Sequence, residues 1–240
     1  MPTPKSVVLL SGGLDSCVAL ACAREESEVI LTMTVAYGQK HSREVESAHY
    51  ISSHYSIAHE LIALPALGEM LSKHHASALV DETEELPHDR RMSEMTARVP
   101  RSYVCGRNTI MLALAQSFAE ALNADEIYCG FNAVDFSGYP DCRPIFVDAW
   151  NHLARYATKR GYEGNPISLR APIINFSKAS VVNRGLTLKA PLHLTWSCYA
   201  GGELPCGTCD SCIIRYHAFR ENQMSDPAGP YEVEPIYRGL

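Results

Sequence analysis

An apolar, β-type run that ends in two glycines and turns at once into a helical pattern constrains this chain more than any other feature. It reads VVLLSGGLDSCVAL, Val7 to Leu20. Small residues at such a junction let consecutive backbone N–H groups converge on one anion-sized hollow. The helix N-terminus behind them adds partial positive charge. The pattern therefore predicts a phosphate site over Ser11–Ser16 at the end of a first strand. The Lys-containing pattern G-x-x-x-x-G-K-[ST] is absent, and so is the dinucleotide pattern G-x-G-x-x-G. Ser11 and Ser16 can donate to phosphate oxygens. Asp15 beside a phosphate makes electrostatic sense only with a cation between them, which makes it a candidate to help hold Mg²⁺.

The remaining segments suit the sheet that this junction implies. Val29–Ala36 and His59–Leu64 are β-type, as are Ser6–Leu10 and Asp125–Gly130. Leu14–Glu25, Ser42–Tyr55 and Thr109–Leu122 are helical in composition, the last apolar on nearly all sides and so expected to be buried. Alternation of this kind predicts an α/β fold, an open doubly wound parallel sheet with right-handed crossovers. Between Ser72 and Arg101 the pattern fails, and a polar flap near the site is expected. The tail after Asp226 is rich in Pro and expected to lie extended on the surface. With 240 residues and 46% apolar composition the chain can bury a real core.

Charge and hydropathy exclude some partners. The formal net charge is −6, a poor balance for gripping a nucleic-acid backbone. Arg90, Arg91, Arg98 and Arg101 could form a local basic patch, against the simpler reading of a solvated face. No apolar stretch reaches the ~18 residues of a membrane span, and no targeting segment is expected, so a cytoplasmic protein without stable nucleic-acid or membrane partners is anticipated.

Four of the nine cysteines are clustered. Cys198, Cys206, Cys209 and Cys212 follow C-x7-C-x2-C-x2-C, a spacing suited to one tetrahedral structural zinc per chain, with no open position for catalysis. An iron–sulfur cluster is the rival, but the further Cys and Pro of a ferredoxin run are missing after Cys212. Cys17, Cys22, Cys105, Cys129 and Cys142 are expected to be small core residues. Among the histidines only His193, close to the cluster, stands out. Residues 1–190 are expected to form the nucleotide-binding part, with 191–240 a zinc-binding helical knuckle packed on it as one unit.

The loop SGGLDS resembles the PP-loop of the ATP pyrophosphatases. Together with AYGQKHSREVESA (36–48), YVCGRN (103–108), GFNAVDFSGYPDCRPIF (130–146) and LTWSCYAGGELPCGTCDSCIIR (194–215), it makes the chain similar to the 7-cyano-7-deazaguanine synthases. The resemblance runs from Val7 to Arg215. It departs from the family's usual pattern at Ala36, where Asp is frequent, and at Cys105, where Pro is usual.

That resemblance implies an adenine nucleotide alpha hydrolase-like fold, a homodimer, and a reaction. It implies ATP-dependent conversion of 7-carboxy-7-deazaguanine and ammonia to the 7-nitrile in queuosine biosynthesis, through adenylated carboxylate and amide. ATP, as Mg-ATP, would be held by Leu10, Ser11, Gly12, Gly13, Leu14, Asp15, Ser16, Cys17, Val18, Ala19 and Leu20. Asp15, Ser16 and Arg107 are the expected catalytic group. Asp135, Phe136, Ser137, Tyr139, Asp141 and Arg143 are the candidates for the deazaguanine. A PP-loop enzyme that adenylates a tRNA base is the alternative, and a non-catalytic zinc-knuckle module is the rival from another class.

Overall fold

The computed structural model describes residues 2–39, 42–81, 83–84, 88–90, 99–132 and 139–236. Five strands form one sheet: β1 (Lys5–Leu9), β2 (Glu28–Ala36), β3 (His59–Ala63), β4 (Glu126–Tyr128) and β5 (Ser168–Arg170). Their order is β3-β2-β1-β4-β5, and every pairing is parallel. The strand order reverses between β1 and β4. In open parallel sheets the crevice at such a reversal, beyond the carboxyl ends of the strands, is where ligands bind.

The helices are α1 (Leu14–Glu26), α2 (Arg43–His54), α3 (Pro65–Lys73), α4 (Arg107–Ala121), α5 (Pro144–Ala157), α6 (Lys159–Tyr162), α7 (Lys178–Thr187) and α8 (Asp210–Glu221). Successive residues of β1 point to opposite faces. Val8 joins a core built from α1, α2, α7 and α8 through Val18, Ile51, Val182 and Phe219. Val7 joins the opposite core, where Leu112 and Ala115 of α4 meet Trp150 of α5. The doubly wound architecture expected from the alternation is thus present.

The helix that is buried nearly all round is α1, where Cys17, Val18, Ala19 and Leu20 have no exposure. It lies between the sheet and the pair α7 and α8. The expectation that 109–122 would be buried on all sides is corrected. In α4 the stripe Asn108, Leu112, Ala115 and Ala119 is buried, whereas Thr109, Ala113 and Ser117 face solvent. Small alanines tolerate either environment, so composition alone does not set their exposure.

The C-terminal part joins the same body. Ala218 and Phe219 of α8 belong to the core around α1. The tail is mostly exposed but pinned: Glu232 N–H donates to Pro205 O at 2.9 Å, and Tyr231 packs on the cysteine cluster. Of the polar segment 72–101, the described residues 88–90 rest on the knuckle. Asp89 N–H donates to Thr208 O at 2.9 Å, and Arg90 pairs with Asp210. Arg101 pairs with Glu84. Arg91 and Arg98 lie outside the described residues. No described helix is long and apolar enough to cross a membrane.

Candidate active site and metal centre

The Gly loop opens on a cavity of about 280 Å³ at the β1/β4 reversal. Its local order comes from two hydroxyls. Ser16 Oγ donates to Gly13 O at 3.0 Å and accepts from Ser11 N–H at 3.2 Å and from Ser11 Oγ at 3.1 Å. Gly12 takes φ +88°, and a Cβ there would stand 2.0 Å from Glu44 O. Gly130, just after β4, lies as close to the start of α1: a Cβ would be 2.7 Å from Ser16 N. These two glycines let α2 and the β4 loop close around the hollow.

Of the residues singled out for ATP, Leu10, Ser11, Gly13, Leu14, Asp15 and Ser16 line the cavity. Cys17, Val18 and Leu20 belong to the core beneath it, and Ala19 beside them is fully buried. Gly12 shapes the loop from behind. Arg107 lines the cavity, its Nη1 donating to Tyr37 Oη at 3.2 Å. Tyr139 lines it too, with its hydroxyl 2.7 Å from Ser102 Oγ. Asp141 is buried behind the wall, with Oδ1 lacking a hydrogen-bond partner among the described residues. Arg143 is exposed, and its Nε donates to Pro140 O at 3.1 Å. Asp135, Phe136 and Ser137 lie outside the described residues.

The cation beside Asp15 in this structure is Lys178. Its Nζ donates to Oδ1 at 2.9 Å and to Oδ2 at 2.7 Å. Lys178 opens α7, whose cap is Ser177: Ser177 Oγ accepts from Ser180 N–H at 3.1 Å. The loop itself carries no Lys, yet an ammonium reaches it from 163 residues away. Sequence inspection passed over this residue. Its only local signal is the Ser-Lys-Ala-Ser helix start at 177–180.

Two further cavity residues were also missed. Arg215 Nε and Nη2 donate to the Asp226 carboxylate at 2.8 and 3.0 Å, while Nη1 donates to Thr195 Oγ1 at 2.7 Å and to Ser197 Oγ at 3.1 Å. Glu44, in the first turn of α2, also faces the cavity. Burial pushes its carboxyl up to about 7, against the pull of Arg107 and with the help of negative charge at Cys198.

The four clustered cysteines are all buried, and their Sγ atoms lie within 4.8 Å of one another. A tetrahedral zinc with Zn–S near ~2.3 Å sets its sulfurs about 3.8 Å apart; Cys206 Sγ and Cys212 Sγ stand 4.0 Å apart. Backbone N–H groups of Ala200 and Cys206 point at Cys198 Sγ (3.4 and 3.3 Å), and that of Cys209 at Cys206 Sγ (3.4 Å). Such donors suit thiolates. The donor set therefore fits a closed metal site. His193 is exposed and stands apart from it. Of the scattered cysteines, Cys17, Cys22 and Cys129 are buried as expected. Cys105 is exposed in the turn before Gly106, and Cys142 is half-buried on the cavity wall; both correct the expectation of core positions.

The knuckle and the Gly loop are in contact. Trp196 N–H donates to Gly12 O at 3.0 Å, and its indole N–H donates to Cys198 O at 2.9 Å. Arg43 of α2 lies over the Trp196 ring at 4.9 Å and donates to Gly202 O.

The family described as "Queuosine biosynthesis protein QueC" matches residues 5–223. The chain belongs to this family. A 7-cyano-7-deazaguanine synthase of Nostoc sp. is 42% identical over 228 residues, 95% of this chain and 97% of the relative. One from Parasynechococcus marenigrum is 44% identical over 217 residues, 90% of this chain and 92% of the relative. A third, from Thermosynechococcus vestitus, is 41% identical over 234 residues, covering 97% and 98%.

Proposed function

We propose that this chain is an ATP-dependent carbon–nitrogen ligase, a 7-cyano-7-deazaguanine synthase of queuosine biosynthesis. The observation that carries the proposal is the match to such synthases over nearly the whole chain, joined to an intact Ser-Gly-Gly-x-Asp-Ser loop that opens on a cavity. The substrates are 7-carboxy-7-deazaguanine, ammonia and Mg-ATP.

A carboxylate is a poor electrophile until its oxygen carries a leaving group. Attack of that oxygen on the α-phosphorus of ATP forms the acyl adenylate and releases pyrophosphate. Ammonia then displaces AMP and gives the amide. Activation of the amide oxygen in the same way, followed by elimination of AMP, leaves the nitrile. The protein's part is positioning and charge neutralisation. The loop N–H groups, with Ser11 and Ser16, receive the β,γ-phosphates. Lys178, steadied by Asp15, supplies the positive charge that the loop lacks. Arg107 meets the α-phosphate or the substrate carboxylate. Asp15 is also the carboxylate placed to take part in binding Mg²⁺, which would neutralise phosphate charge. Tyr139 offers a ring to the deazaguanine, with Asp135, Phe136, Ser137, Asp141 and Arg143 as further candidates.

The four cysteines would hold zinc, in a structural role. Residues 1–190 and 191–240 act as one unit, working in the cytoplasm as a homodimer. Light scattering on a sizing column should then give twice 26.5 kDa.

One reaction tests the reading. The chain is incubated with 7-carboxy-7-deazaguanine, ammonium and Mg-ATP, the base is followed by mass spectrometry and the nucleotide by chromatography. The expected result is nitrile with about two AMP per turnover, one for each activation. ADP without nitrile would overturn it.

A further inference from the structure

Two of the three substrates proposed above are anions at neutral pH, and the cavity answers them with Lys178, Arg107 and two helix N-termini. Glu44 does not fit that pattern. Glu44 lines the same cavity, and its carboxyl charge couples to Arg107 and to Tyr199, both of them lining residues. Asp15, the other carboxylate on the wall, is neutralised by Lys178. Among the described residues no hydrogen bond or ion pair engages the Glu44 carboxylate: Arg107 acts on it through charge alone, and its guanidinium donates to Tyr37 Oη. A negative charge so placed repels both ATP and a carboxylate substrate. It costs desolvation as well.

The third substrate has the opposite charge. Ammonia exists at neutral pH mostly as ammonium, a small cation with four N–H donors and no lone pair. Resting on the reading above, we propose that Glu44 is the ammonium subsite of this cavity and accepts the proton that frees the nucleophile. Ser197 and Tyr199, which line the cavity from the knuckle side, offer oxygens for the remaining donors.

The step balances without another reactant. Ammonium gives one proton to the Glu44 carboxylate and becomes ammonia. The nitrogen lone pair forms a bond to the acyl carbon, and the carbon–oxygen bond to AMP breaks with its electron pair on the phosphate oxygen. The nitrogen sheds its second proton to water, leaving the amide. Burial holds the carboxyl near neutrality, where it can both accept and release a proton at working pH.

Glu44→Gln tests this with two readouts. ATP–pyrophosphate exchange, run with 7-carboxy-7-deazaguanine and no ammonium, reports adenylation alone and should stay within about twofold of wild type. The kcat/KM for ammonium should fall by about 10²-fold, the usual scale for a lost proton acceptor. Hydroxylamine, neutral at pH 7, needs no deprotonation before attack, so the variant should use it about as well as wild type does. Loss of exchange would overturn the assignment and place Glu44 in nucleotide, Mg²⁺ or structural roles. Equal loss with ammonium and hydroxylamine would overturn it too. Absence of exchange in the wild-type chain would instead defeat the functional reading, and the subsite with it.

Discussion

A lysine that arrives from elsewhere in the chain resolves the chemistry of a loop that has none. Lys178 is one-tenth exposed and holds both oxygens of Asp15, so its ammonium is already fixed at the loop proposed to take phosphate. Lys178→Ala should lower turnover by about 10²-fold or more, with the melting temperature little changed; steady-state kinetics beside a thermal melt would show it. Gly12→Ala is the contrasting case. The new Cβ would meet the Glu44 carbonyl at φ +88°, and urea unfolding should register a loss of about 1–3 kcal/mol. Glu44 also gives a pH signature. Its carboxyl is raised from 4.5 to about 7 in the fold, so between those values the native state keeps a proton that the unfolded chain has lost. Stability contributed there falls as pH rises. Glu44→Gln should therefore melt like wild type near pH 4.5 and above it beyond pH 7. Sequence inspection found Asp15 and Ser16 because they sit inside one contiguous motif. Glu44 and Lys178 acquire their meaning from the crossing of α2 over Gly12 and the docking of α7; the motif at 36–48 and the helix start at 177–180 mark their segments but not those contacts.

At the level of elements, the legible parts were those with an unbroken apolar run or a clear amphipathic period. β1, β2, α1 and α2 fall close to their expected bounds, since each carries a long apolar or amphipathic run. β5 has three residues, Ser168–Arg170, too few for alternation to declare itself, and it forms because β4 offers it a partner. The knuckle helix α8 is held by a buried pair rather than by pattern. The side chains of Arg215 and Asp226 are only 4% and 1% exposed. Asp226→Asn leaves a guanidinium uncompensated in the interior and should cost about 3–5 kcal/mol, read from chemical denaturation. Replacing both by apolar residues of similar volume should cost less, because the stranded charge goes with its partner.

For the whole molecule, the four-cysteine cluster and the Gly loop are one unit. Trp196 donates to Gly12 O with its backbone and to Cys198 O with its indole, so the four-cysteine centre braces the loop from behind. Removing the metal with a strong chelator should lower the melting temperature and weaken ATP binding together, measured by calorimetry on the same sample; unchanged nucleotide affinity in metal-free, folded protein would show the two to be independent. The cysteine spacing made the centre visible in the sequence, whereas its contact with the loop was not, because 184 residues separate Gly12 from Trp196. That separation has a consequence for synthesis. On the ribosome the Gly loop emerges well before the backbone group that braces it. Lys178 arrives only after most of the sheet has been made. A nascent chain can pair β1 with β2 long before Lys178 and Trp196 can reach the loop, so the loop takes its native setting only after both have left the exit tunnel.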